Sequence, residues 1–239
     1  MNISSIIKSA VSLSYGILFL YLVFSDKILK YLHPRMEKFV LAAGIVLIIA
    51  GIYCLKDIKK NIYMKVPLFS FSVFLIPLIA GLLIDPSDIA GTISASRGMS
   101  IQQLNPGDMK ADFTDKDGNI YINSENYIYA MREIYSNIGE YEGRRIEVEG
   151  FVFRNEYMGP SQMVVGRYII TCCIADASLF GYLTEGDGIG DIPENTWVKV
   201  KGKLGKVSFE GEDVPCISAD EDGIEFPERP ENEYVFANY

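Results

Sequence analysis

Three uncharged apolar stretches, Ser9–Ser25, Phe39–Leu55 and Val66–Ile84, constrain this chain more than anything else in it. As helices rising about 1.5 Å per residue they would each cover roughly 25–29 Å, close to the hydrocarbon thickness of a bilayer, with flanking lysines reaching to the headgroups. A cleaved signal peptide is the alternative for the first stretch. No small-x-small cleavage site follows it, and "FSDKILKYLHPRM" continues with bulky and charged residues, so an uncleaved helix is the expectation.

Charge divides the chain at the same place. Residues 1–84 hold nine Lys/Arg against three acids, and residues 85–239 hold thirteen against twenty-eight. An acidic C-terminal part argues against nucleic acid as a partner, because phosphate binding needs a positive surface. Lys56, Lys59, Lys60 and Lys65 crowd the second loop, and with Lys8 they favour the N-terminus and loop 56–65 inside the cell. The acidic part then lies outside the cytoplasmic membrane, anchored by three passes. Loop "YLHPRM" carries His33, Pro34 and Arg35, where Pro34 breaks the helix and the two polar residues suit the membrane interface.

Beyond the membrane region (1–84), residues 85–120 read as a Ser/Gly/Asp/Pro-rich linker and residues 121–239 as one folded domain. Within it, Tyr127, Met131, Ile134 and Ile138 fall at helical spacing behind Asn123 and Ser124 as N-caps, predicting a helix of about 14 residues. From Arg144 the period switches to two. "RRIEVEGFVF" and "TWVKVKGKLG" alternate apolar with charged residues, glutamates on one and lysines on the other, which suits cross-strand neighbours. Further strands are expected at "VVGRYIITCCIADA", "FGYLTEG", "KVSFEG" and within Val214–Phe226. Five or six short strands with internal glycines predict a small OB-like β-barrel, with a β-sandwich as the alternative. The fold class is therefore a membrane-anchored α + β protein: three transmembrane helices, then a small extracytoplasmic OB-like barrel.

Chemistry concentrates in "RYIITCCIADA". Of the four cysteines, Cys54 belongs to the second span and reads as an apolar packer, whereas Cys172, Cys173 and Cys216 belong to the acidic domain. On a regular strand Cys172 would share a face with Tyr168 and Ile170, and Cys173 with Ile169 and Thr171, so both thiols reach one ion only across a bulge or turn. Three readings stay open: core thiols or a structural disulfide with Cys216, a redox pair, and a zinc or copper site built from Cys172, Cys173, Asp176 and Cys216. With one histidine in the chain, outside this domain, and no Gly-rich phosphate loop, no catalytic constellation is evident and no enzyme activity is expected.

"YLHPRM", "LIDPSDIAGTISASRG", "YEGRRIEVEGFVF" and above all "RYIITCCIADA" followed by Gly181 resemble the YcgQ-like family, bacterial proteins described as permease subunits and usually encoded beside a larger polytopic permease. The resemblance implies a small membrane-anchored subunit whose extracytoplasmic β domain works with a partner permease, in export or metal-related transport. It also implies that Arg167, Cys172, Cys173 and Asp176 form a functional cluster. The spans hold no ionisable group of a transport pathway, but Ala42, Ala43, Gly44, Ala50 and Gly51 would allow close packing of helices.

Overall fold

The computed structural model describes residues 3–56, 69–83, 111–156, 158–209, 212–230 and 232–236. Its contacts divide the chain into two units: Met1–Gly91 with Cys172–Ala175, and Thr92–Thr171 with Asp176–Tyr239.

The first unit contains α1 (Ile3–Phe24), α2 (Glu37–Lys56) and α3 (Phe69–Leu83). Two segments, Ser5–Phe24 and Pro34–Lys56, are long and apolar enough to cross a membrane. The third expected span is described over 15 residues with Pro77 inside, about 22 Å of helix and short of a full crossing; its remaining residues lie outside the described ones. Glycines set the contact between α1 and α2. Ser9 Oγ donates to the Gly51 carbonyl at 2.8 Å, and a Cβ on Gly16 or Gly51 would meet Ile48 or Leu13 at 2.6 or 2.7 Å. Small residues let two apolar helices approach where no water-driven core exists between them. Of the small residues expected at such a contact, Gly44 and Gly51 are buried, while Ala42, Ala43 and Ala50 face outward. Between the helices, Pro34–Met36 forms a 3₁₀ turn that His33 caps, its Nδ1 accepting from the Arg35 N–H at 3.2 Å.

The second unit contains β1 (Ile120–Ile122), α4 (Tyr127–Ser136), a single turn α5 (Ile138–Tyr141), β2 (Arg145–Phe153), β3 (Gln162–Ile170), β4 (Ser178–Glu185), β5 (Trp197–Phe209), β6 (Glu212–Glu225) and β7 (Tyr234–Phe236). The strand order is β1-β2-β5-β6-β4-β3-β7, and β2 also pairs with β3. Five strands, β2, β3, β4, β6 and β5, thus form a closed circuit of pairings in which only β4 and β6 run parallel.

The alternation in "RRIEVEGFVF" and "TWVKVKGKLG" does pair them: Glu147 stands opposite Lys201 and Glu149 opposite Lys199, with Lys199 Nζ 3.4 Å from Glu147. Their other face puts Ile146, Val148, Val198 and Val200 in the core. Tyr127, Ala130, Met131 and Ile134 of α4, at i, i+3, i+4 and i+7, close over the same cluster.

Three expectations change. "KVSFEG" is not a separate strand, since β5 runs unbroken through Phe209. The helix starts at Tyr127 and ends at Ser136, because Asn126, rather than Asn123 or Ser124, stands at its N-cap. The Asn126 side chain is committed elsewhere: its Oδ1 accepts from the Asn123 N–H and its Nδ2 donates to the Tyr121 carbonyl, each near 2.9 Å. Residues 111–120 of the expected linker belong to the folded unit, with Ile120 opening β1. Phe113 is buried against Tyr129 and Tyr141, and Asp115 Oδ1 closes a turn by accepting from the N–H groups of Asp117 and Asn119. Residues 85–110 lie outside the described ones.

Candidate functional site

The strand expected to run through "RYIITCCIADA" stops at Ile170. Asp176 is the cause: its Oδ1 accepts from the Thr171 N–H at 2.9 Å, turning the chain into a 3₁₀ turn over Ile174–Asp176 instead of continuing the pleat. Backbone pairing holds the same turn. The Cys172 carbonyl accepts from the His33 N–H at 3.1 Å, the Ile174 N–H donates to the Tyr31 carbonyl at 2.8 Å, and Cys173 bridges Leu32.

The consequence is that the opposite-face geometry of a strand does not apply to the two cysteines. Their sulfurs stand 3.7 Å apart, well beyond the roughly 2.05 Å of a disulfide. The Cys172 and Cys173 sulfurs and an Asp176 carboxylate oxygen all lie within 4.8 Å of one another, each residue half-buried. Two soft donors and one hard donor at that spacing form a group able to hold a metal ion.

Cys216, the other expected ligand, does not join them. It pairs with Leu183, and Leu183 with Val164, whereas the thiol turn follows Ile170. Six residues of strand separate Val164 from Ile170, about 20 Å at 3.3 Å per residue, so Cys216 sits toward the other end of the sheet. There it is buried with Val164 and Leu183, and burial, with Glu185 adding to it, pushes its thiol up to about 12. Only about one Cys216 in ten thousand is then a thiolate at pH 8. Iodoacetamide at pH 8 should modify Cys172 and Cys173 in the folded chain and leave Cys216 intact, read by mass mapping of a digest; equal labelling of Cys216 would contradict its placement.

Arg167 has a different setting again. It is 4% exposed, its Nη1 donates to Ser124 Oγ at 2.6 Å, and its other nitrogens donate to the backbone carbonyls of Glu233 and Asn232 at 3.4 and 3.5 Å. The guanidinium lies 5.2 Å from the Trp197 ring centroid and 5.9 Å from that of Tyr127. Burial lowers its pKa, and Tyr127, Glu149 and Glu233 act in the opposite sense. These contacts tie the segment before β7 to β3. His33, Pro34 and Arg35 shape the turn before α2, and the His33 backbone touches the thiol turn, a link invisible in the sequence.

Two membrane-length helices joined in one chain to a closed circuit of strands, with a thiol turn at the end of one strand, define a membrane-associated protein with a separate β unit. The chain belongs to the DUF1980 family: the DUF1980 N-terminal domain matches residues 7–100 and the DUF1980 C-terminal domain residues 102–237. It is 26% identical over 160 residues to UPF0703 protein YcgQ of Bacillus subtilis (strain 168), covering 56% of each protein. It is 39% identical over 87 residues to a Streptococcus mutans serotype c protein named as a candidate two-component membrane permease complex subunit, covering 36% of this chain and 31% of that protein. The expected kinship with YcgQ-like proteins holds, and the matches span about half and a third of these relatives' lengths.

Proposed function

We propose that this chain is an accessory subunit of a two-component membrane permease, held in the bacterial cytoplasmic membrane by three passes, with its acidic β unit outside. The observation that carries this reading is the combination of two membrane-length helices with kinship to a protein named for such a complex. Outward-facing Val73, Phe74 and Ile76 on α3 support a third crossing. The circuit β2-β3-β4-β6-β5-β2, with β4 and β6 parallel, matches the strand order of an OB-type Greek-key barrel and supports that reading of the β unit. Its role is binding rather than catalysis, toward the partner permease, a ligand, or zinc or copper at the Cys172–Cys173–Asp176 turn. Nucleic acid is not a partner in this reading, given the acidic surface.

Extraction of the tagged chain from its native membranes in mild detergent should bring down a second, larger polytopic protein in fixed stoichiometry. A lone chain that retains full activity would overturn the subunit reading. The 3.7 Å approach of the two sulfurs favours one alternative, an independent thiol-redox or metal-binding protein anchored in the membrane. Under that alternative Cys172→Ser abolishes function with no second protein present.

A further inference from the structure

Adjacent thiols on a pleated strand point to opposite faces and cannot bond. The turn after Ile170 removes that obstacle, since it brings the Cys172 and Cys173 sulfurs to 3.7 Å, against the roughly 2.05 Å of a disulfide. Cys216 does not compete for either, being buried with Val164 and Leu183 toward the other end of the sheet.

The ring that such a bond closes contains the Cys172–Cys173 peptide itself. Neighbouring Cα atoms across a trans peptide stand about 3.8 Å apart, less than the roughly 4.4–6.8 Å that a disulfide ordinarily spans. The ring therefore strains that peptide, and strained disulfides are the ones readily reduced again. Hydrogen bonds hold the same peptide in place. Its carbonyl accepts from the His33 N–H at 3.1 Å, and the next amide, that of Ile174, donates to the Tyr31 carbonyl at 2.8 Å. Both partners lie in the segment joining α1 to α2, and all these residues belong to the first unit.

We propose that Cys172 and Cys173 are a reversible redox site, oxidised to a vicinal disulfide by a disulfide-bearing oxidant, and that oxidation releases the turn from Tyr31–His33. One cysteine thiolate attacks a sulfur of the oxidant, forming a mixed disulfide and expelling one thiolate. The neighbouring thiolate then attacks the cysteine sulfur of that mixed disulfide, forms the Cys172–Cys173 bond and expels the second. Two electrons pass to the oxidant, whose two departing thiolates take up the two protons that the cysteines gave up. Strain in the ring turns the peptide plane, so the Cys172 carbonyl swings off the His33 N–H and the Ile174–Tyr31 bond is lost with it. This goes beyond the permease reading and does not depend on a metal at the turn.

The full chain in detergent micelles, reduced with a phosphine and exchanged into buffer with EDTA, would be treated with oxidised glutathione. The intact mass should fall by two hydrogens, and a digest should place the bond between Cys172 and Cys173. Hydrogen exchange at the His33 and Ile174 amides should quicken roughly tenfold or more and return to its starting rate on reduction. Exchange along Arg145–Phe153 should stay unchanged, which separates release of the turn from unfolding. Cys172→Ser and Cys173→Ser should each stop at a glutathione adduct on the remaining thiol and keep the slow exchange of the reduced parent. Glutathione adducts or unchanged thiols in the parent, with no internal bond, would overturn the redox site. An internal bond with exchange at His33 and Ile174 unchanged would overturn the release. Either outcome leaves the permease reading to its own extraction test.

Discussion

Gly166→Ala should cost the β unit about 3 kcal/mol and lower its melting temperature by roughly 10–15 °C. A Cβ on Gly166 would come within 2.7 Å of the Phe180 carbonyl oxygen and 2.8 Å of Leu179 Cδ1, and its register partner Gly181 would meet the Val165 carbonyl and Gly166 Cα at 2.5 and 2.7 Å. Backbone on the neighbouring strand cannot give way as a side chain can, so the strain falls on the pairing of β3 with β4. The chain carries its own probe, because its single tryptophan, Trp197, is buried on β5 with its Nε1 donating to Glu149 at 2.8 Å. Gly139→Ala makes a suitable control: nothing lies within 4 Å of a Cβ there, and alanine should leave the melt unchanged or raise it slightly. If Gly166→Ala melted with the parent by Trp197 fluorescence, the close approach of these strands would be wrong.

Arg167→Leu is the second large effect, expected at about 2–4 kcal/mol. Leucine keeps much of the packing beside Trp197 and Tyr127 but removes the donor that joins Ser124 Oγ to the carbonyls of Asn232 and Glu233, and hydrogen bonds from a charged group contribute about 1.5–3 kcal/mol. Hydrogen exchange should therefore quicken first at Tyr234–Phe236, the strand this arginine tethers, whereas Arg167→Lys should fall between the two because an ammonium lacks the planar fork. The same variants separate two roles for the residue. A latch moves exchange and melting and leaves the alkylation rates of Cys172 and Cys173 unchanged. Altered alkylation of the two thiols with exchange unchanged would place Arg167 in the functional cluster that the family resemblance implies.

What could be seen in the sequence was whatever repeats locally. Hydropathy marked the two long helices, and the alternation of glutamates and lysines suggested the pairing of β2 with β5, whose register the structure supplies. What escaped depended on contacts far along the chain. "RYIIT" alternates as a strand should, and nothing within it says that Asp176 will turn the chain after Ile170 or that Tyr31–His33 will pair with the cysteines. Cys216 looked available to them because its position depends on the register of β6 against β4, which no local pattern encodes. The family resemblance groups Arg167 with the cysteines, and no local pattern shows that its side chain meets Ser124 and the Asn232–Glu233 backbone.

The bridge between Leu32 and Cys173 has a consequence for biogenesis. About 140 residues separate its halves, so at a synthesis rate of roughly 5–20 residues per second the Tyr31–His33 edge waits on the order of ten seconds for its partner. Over that interval and until the β unit folds, Cys172, Cys173 and Cys216 share one unfolded segment in which any two can meet an oxidant. The order of events in the cell, folding before oxidation or oxidation before folding, then decides whether the two adjacent thiols survive as a pair.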